Sequence, residues 1–150
     1  MYILRSLTLK QYTHLIPSLL GVPLTDTDRL PWLNKLHGII SDCIQHKKRV
    51  IIACSALKYS YRQLLINDIH TNESNTIQFI LLTGSKSMLE ERIKQRHGHY
   101  MKAGMLQSQL DTLEEPRRDE NIISVDTAPS VDEVMDTIKS HILSCKNRKL

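Results

Sequence analysis

Lys58, Tyr61 and Arg62 follow one another at helical spacing, just downstream of the apolar run Val50-Ile51-Ile52-Ala53-Cys54 and the small pair Ser55-Ala56. An unbroken apolar run of this length suits a strand buried on both faces of a parallel sheet. In open α/β sheets, ligands sit beyond the carboxyl ends of the strands. Small residues there let a ligand approach the backbone, and two cations one turn apart then face it. Residues 55–62 are therefore expected to bind something anionic. A second polar cluster gathers Arg92, Arg96, His97 and His99 around Gly98. Cations beside a flexible glycine, between two α/β units, have the makings of a lid over about 92–115.

The elements that must position these groups are legible from periodicity. Trp32, Leu33, Leu36, Ile40, Cys43 and Ile44 predict an amphipathic helix over 31–46, opened by Pro31 and preceded by the cap-rich Thr25-Asp-Thr-Asp28. Lys47, Lys48 and Arg49 read as its solvated basic end. A short helix over 58–66 turns Leu57, Tyr61, Leu64 and Leu65 inward, and a polar loop follows over 68–76. Residues 77–83 predict a second strand, stopped by Gly84-Ser85, and Ser87 to Glu90 has capping-box spacing. A short helix with Met105, Leu106 and Leu110 inward precedes a third strand over 121–125. Ser130 and Glu133 form another capping box, and Val131, Val134, Ile138 and Ile142 mark the inner face of a last helix. Helices alternating with strands predict an α/β fold with a parallel sheet. The expected organisation is a divergent segment over 1–20, one α/β domain over 21–145 and a basic tail over 146–150.

Composition narrows the function classes. The 150 residues carry a net charge of +4, with one Trp and one Phe. The basic excess favours anionic ligands, but it is dispersed and lacks aromatic platforms for stacking bases, so nucleic acid is not expected as a partner. No stretch approaches the roughly 18 apolar residues of a membrane span, and Lys10, Gln11 and His14 interrupt any signal-peptide pattern at the start. Cys43, Cys54 and Cys145 form no C-x-x-C pair, and Cys43 and Cys54 are expected as buried free thiols. A soluble cytoplasmic protein is the expectation. His97 and His99 lack a third nearby ligand, so no metal-ligating set is expected.

Several motifs, taken together in order and spacing, resemble the gluconokinase family of small P-loop carbohydrate kinases. They are Gly21-Val-Pro-Leu-Thr-Asp-Thr-Asp-Arg-Leu-Pro-Trp-Leu33, Ala53-Cys-Ser-Ala-Leu-Lys58 with Tyr61-Arg62, Gly98-His-Tyr-Met101, Ser108-Gln109 and Thr112-Leu-Glu114. The resemblance runs to about Ile142 and implies a fold like shikimate kinase and adenylate kinase. It also implies transfer of the ATP γ-phosphoryl group to the 6-hydroxyl of D-gluconate, with Mg²⁺, and admits a homodimer. Carried over by position, it gives the catalytic work to Arg96, Arg92 and Lys58. Ser55, Lys58, Arg62 and Arg29 would meet the sugar acid, with His99 and Gln109 nearby. Arg92 and Arg96 would clamp the ATP phosphates, while Asp126, Pro129 and Val131 border the adenine. Two of these arginines have plain alternatives: Arg29 could pair with Asp26, and Arg92 could be an exposed helix residue facing Met88 and Gln95.

The departure from the family lies at the start. Residues 1–20 contain no glycine and no G-x-x-x-x-G-K-[ST] loop, whose amides, lysine and hydroxyl hold phosphates and Mg²⁺. The acidic strand-end segment that follows this loop in the family is missing too. Two expectations stand side by side: a gluconokinase in truncated form, or a non-catalytic sugar-acid-binding or regulatory remnant.

Overall fold

The computed structural model describes residues 25–69, 77–95 and 105–147. Seven elements follow in order: helices α1 (Asp26–Gln45) and α2 (Tyr59–Ile66), strand β1 (Phe79–Thr83), helices α3 (Lys86–Gln95) and α4 (Met105–Thr112), strand β2 (Ile122–Asp126) and helix α5 (Val131–Asn147). The chain divides into two compact units, one of residues 1–70 with 98–115 and one of residues 71–97 with 116–150.

In the first unit, α1 begins five residues before the expected start. Thr25 Oγ1 accepts the Asp28 N–H at 3.3 Å, and the Asp28 carboxylate accepts the Thr25 N–H at 2.9 Å, a complete capping box. Asp26 and Asp28 place negative charge in the first turn, where the helix dipole favours it. These caps outweigh the single N–H that Pro31 withholds inside the helix. The expected stripe holds: Leu33 and Leu36 are buried, and Trp32, Ile40, Cys43 and Ile44 are half-buried. α1 packs against α2, and the other buried apolar side chains of this unit are Tyr61 and Leu65 of α2 and Leu106 of α4. The helix ends at His46 with Lys47 at a φ of 52°, while the Lys48 N–H reaches Cys43 O at 2.7 Å and the Lys47 N–H reaches Ile44 O at 3.0 Å. This is a Schellman closure with lysine in the left-handed position.

The run expected as the central buried strand behaves otherwise. Val50 makes an isolated bridge, residues 51–57 form no strand, and Ile51 is 53% exposed. An apolar run becomes a strand only where neighbours take its N–H and C=O groups, and the described ladder joins only β1 and β2. Cys54, expected buried, is consequently exposed, while Cys43 is half-buried in α1.

In the second unit, β1 and β2 pair in parallel, Phe79 opposite Ile122 through Thr83 opposite Asp126. The parallel α/β expectation is met, with Val125 buried in the sheet. Ser85, not Ser87, caps α3, since its Oγ accepts the Met88 N–H at 3.3 Å. Ser87 lies two residues too late, already inside the helix. The Ser130–Glu133 box at the start of α5 is formed as expected. Val134 and Ile138 are half-buried, but Val131 (78% exposed) and Ile142 are not on the covered face. The described sheet has two strands, which leaves the ends of a helix this long beyond its cover. No described helix is long and apolar enough to cross a membrane.

Candidate functional site

The charged groups of the first unit converge where α1 and α2 begin. Lys58 is the N-cap of α2, and its Nζ donates to both carboxylate oxygens of Asp26 at 2.8 Å. The Tyr61 hydroxyl, one turn along α2, donates to the same carboxylate. Lys58 Nζ lies 5.5 Å from the Tyr61 ring centroid and the Arg29 guanidinium 5.9 Å from it, so two cations stand over one aromatic ring. The Lys58 hydrogen bond, then that of Tyr61, holds the Asp26 carboxyl below the usual carboxylate range. Asp26 in turn raises the Lys58 ammonium above its ordinary value. Burial, then the bond to Asp26, raises the Tyr61 phenol. The result is an ammonium that stays charged, held in place and still 30% exposed.

Behind this surface lies Arg62, only 2% exposed. Its Nη1 donates to Leu57 O at 2.9 Å and to Ala56 O and Glu114 O at 3.3 Å. A buried charge needs such partners, and main-chain oxygens supply them here. Glu114 itself joins the segment: its N–H donates to Leu57 O at 2.9 Å and its Oε2 accepts the Tyr59 N–H at 2.7 Å. Ser55 is half-buried on the irregular segment before Lys58, and Gln109 is half-buried on α4.

The second unit carries the groups expected on the nucleotide side, at the carboxyl ends of its strands. Arg92 of α3 donates to Thr127 O. Thr127 is fastened to Thr83 O through both its N–H (2.9 Å) and its hydroxyl (2.7 Å). Asp126 Oδ1 accepts the Ala128 N–H at 3.0 Å, and Pro129 and Val131 are exposed beside it. Arg92 thus bonds to the turn that holds Asp126 and Pro129. It does not simply face Met88 and Gln95. A Cβ at Gly84 would stand 2.2 Å from Met88 Cε, the free end of a flexible side chain, and 3.2 Å from Thr127 Oγ1, so a larger residue there would make Met88 swing aside. Arg96 and His99, with the centre of the expected lid, lie outside the described residues.

Sequence reasoning brought out Lys58, Arg62 and Arg29 but gave no site role to Asp26, Tyr61 or Glu114. The signals were present in the runs Thr25-Asp-Thr-Asp28 and Thr112-Leu-Glu114. Their roles depend on pairings 32 to 55 residues apart, which no local pattern encodes.

A parallel α/β fold of this kind is shared with solved sugar kinases of the P-loop kinase fold. The unliganded structure of a sugar kinase from Janibacter sp. HTCC2649 superposes with a TM-score of 0.74 at 33% identity, covering 85% of this chain and 70% of that one. No family model matches the chain. The gluconokinase of Gluconobacter oxydans is 38% identical over 121 residues, 81% of this chain and 65% of that protein. A probable gluconokinase of Xenopus tropicalis is 35% identical over 132 residues, 81% of this chain and 70% of that protein. The chain belongs to the gluconokinase family. It spans about 65% of the length of the Gluconobacter relative.

Proposed function

We propose that this chain carries the sugar-acid-binding part of an ATP-dependent gluconokinase, which phosphorylates D-gluconate at its 6-hydroxyl. The observation that carries the reading is the Lys58 ammonium, kept charged and anchored by Asp26 at the head of α2 while 30% of its side chain stays exposed. A sugar acid offers one carboxylate and a row of hydroxyls. Lys58 and Arg29 suit the carboxylate, and Asp26 and Asp28 are acceptors suited to hydroxyls. Ser55 and Gln109 complete the described substrate side, with Arg62 behind it; His99 belongs to the same proposal. On the nucleotide side, Arg92 and Arg96 are assigned to the phosphates, and Asp126, Pro129 and Val131 to the adenine.

Mg²⁺ is implied by kinase chemistry. Among the described residues, no three His, Cys, Asp or Glu side chains form a group that could hold a metal ion. The chain also contains no G-x-x-x-x-G-K-[ST] sequence. That observation favours a second reading, in which the chain binds the sugar acid without phosphorylating it. Phosphoryl transfer depends on positioned charge, and loss of one arginine finger alone lowers the rate by about 10³–10⁵.

The two readings part in a coupled assay with ATP, Mg²⁺ and gluconate, run beside calorimetry with gluconate alone. Binding that weakens in Lys58→Ala, with turnover far below about 1 s⁻¹, is the expected result for the 150-residue chain. Turnover in the ordinary range of roughly 1–10³ s⁻¹ supports the full kinase instead. No gluconate binding at all removes both readings.

A further inference from the structure

We infer that Glu114 and Arg62 are positioning residues for Lys58, forming a clamp that fixes the backbone on both sides of it. Residues that cap helices by preference carry an acceptor of their own, and lysine has none. Lys58 accordingly makes no side-chain cap bond to α2. Glu114 supplies the missing acceptor from beyond the end of α4, taking the Tyr59 N–H at 2.7 Å. A carboxylate at that place also meets the positive end of the helix dipole. On the other side of Lys58, Leu57 O is held twice, by the Glu114 N–H and by Arg62 Nη1, each at 2.9 Å. Arg62 then closes the ring on Glu114 O at 3.3 Å.

The division of labour follows. Glu114 caps the helix, while Lys58, which has no acceptor with which to do so, extends to Asp26 and the exposed surface. Arg62, 2% exposed and directed at main-chain oxygens, acts from behind the segment and makes no contact with a ligand. The inference rests on the reading of Lys58 as the gluconate contact.

Calorimetric titration of the 150-residue chain with sodium D-gluconate tests it, using Lys58→Ala, Glu114→Ala, Glu114→Gln and the double variant Lys58→Ala with Glu114→Ala. Glu114 is exposed, so truncating its side chain opens no cavity in the core. Glu114→Ala is expected to weaken binding about tenfold, the order of one charge-assisted hydrogen bond. Glu114→Gln, which keeps an acceptor for the Tyr59 N–H, restores binding to within about twofold. The double variant binds no more weakly than Lys58→Ala alone, because a clamp has nothing left to position. Wild-type affinity in Glu114→Ala, no rescue by glutamine, or additive losses in the double variant each overturn the clamp and leave the reading of Lys58 intact. Unchanged binding in Lys58→Ala, or none in the wild type, instead removes that reading and the clamp with it.

Discussion

At the scale of single residues, the site is a problem in keeping one ammonium charged and still. Asp26 serves both ends, and the coupling carries a definite pH signature. Its carboxyl lies below its ordinary value of 3.8 in the folded chain, chiefly because Lys58 and then Tyr61 donate to it. A depressed carboxyl pKa stabilises the fold above the unfolded value and loses that contribution as pH falls through the folded one. Lys58 is raised above 10.5, mainly by the bond to Asp26, so its share is present below that value and fades as pH climbs through the raised one. Asp26→Asn should therefore lower the urea midpoint at neutral pH, and the gap to wild type should close in acid below 3.8. A gap that persists unchanged into strong acid would show that Asp26 acts through something other than its charge. Asp26 is 62% exposed, and solvent screening keeps the effect small. Lys58 was legible from its place after an apolar run and small residues. Asp26 and Glu114 were not, because their significance lies in distant partners.

At the scale of elements, caps were read well where both halves of a motif are adjacent, as in Ser130 with Glu133. Ser87 has the capping-box spacing to Glu90, yet the helix begins at Lys86 and Ser85 caps it, which only the backbone geometry decides. The end of α1 offers a test. Lys47 holds a φ of 52° within a Schellman closure, a conformation that a side chain makes unfavourable by roughly 1–2 kcal/mol. Lys47→Gly should stabilise the chain by about 1 kcal/mol, less whatever entropy glycine adds to the unfolded state. A lower thermal midpoint in that variant contradicts this account. The expected strand at 50–54 failed for the opposite reason: its backbone needs partners that no property of its own residues supplies.

At the scale of the whole molecule, the buried apolar side chains are few. Among the described residues they are Leu33, Leu36, Tyr61, Leu65, Leu106 and Val125. Native proteins keep only about 5–15 kcal/mol of net stability, so each such side chain weighs heavily. Leu33 is 0% exposed on α1, which packs against α2, and Leu33→Ala should cost about 2–5 kcal/mol. Urea denaturation checks this, and a loss under about 1 kcal/mol would mean the site collapses around the cavity. The same substitution should weaken gluconate binding, since Asp26 and Lys58 are presented by the helices that Leu33 joins.

The amino-acid sequence by itself determined the α/β class, the apolar stripe of α1, the parallel strands and the cations around residue 58. Each of these depends on periodicity or on neighbours within a few positions, which a linear pattern records. Tertiary structure alone decided that Asp26 anchors Lys58, that Arg62 is buried against carbonyl oxygens, and that Glu114 caps a helix it does not belong to. Hydrogen bonds and burial between distant segments depend on where the chain returns, and that return is set by the packing of the whole.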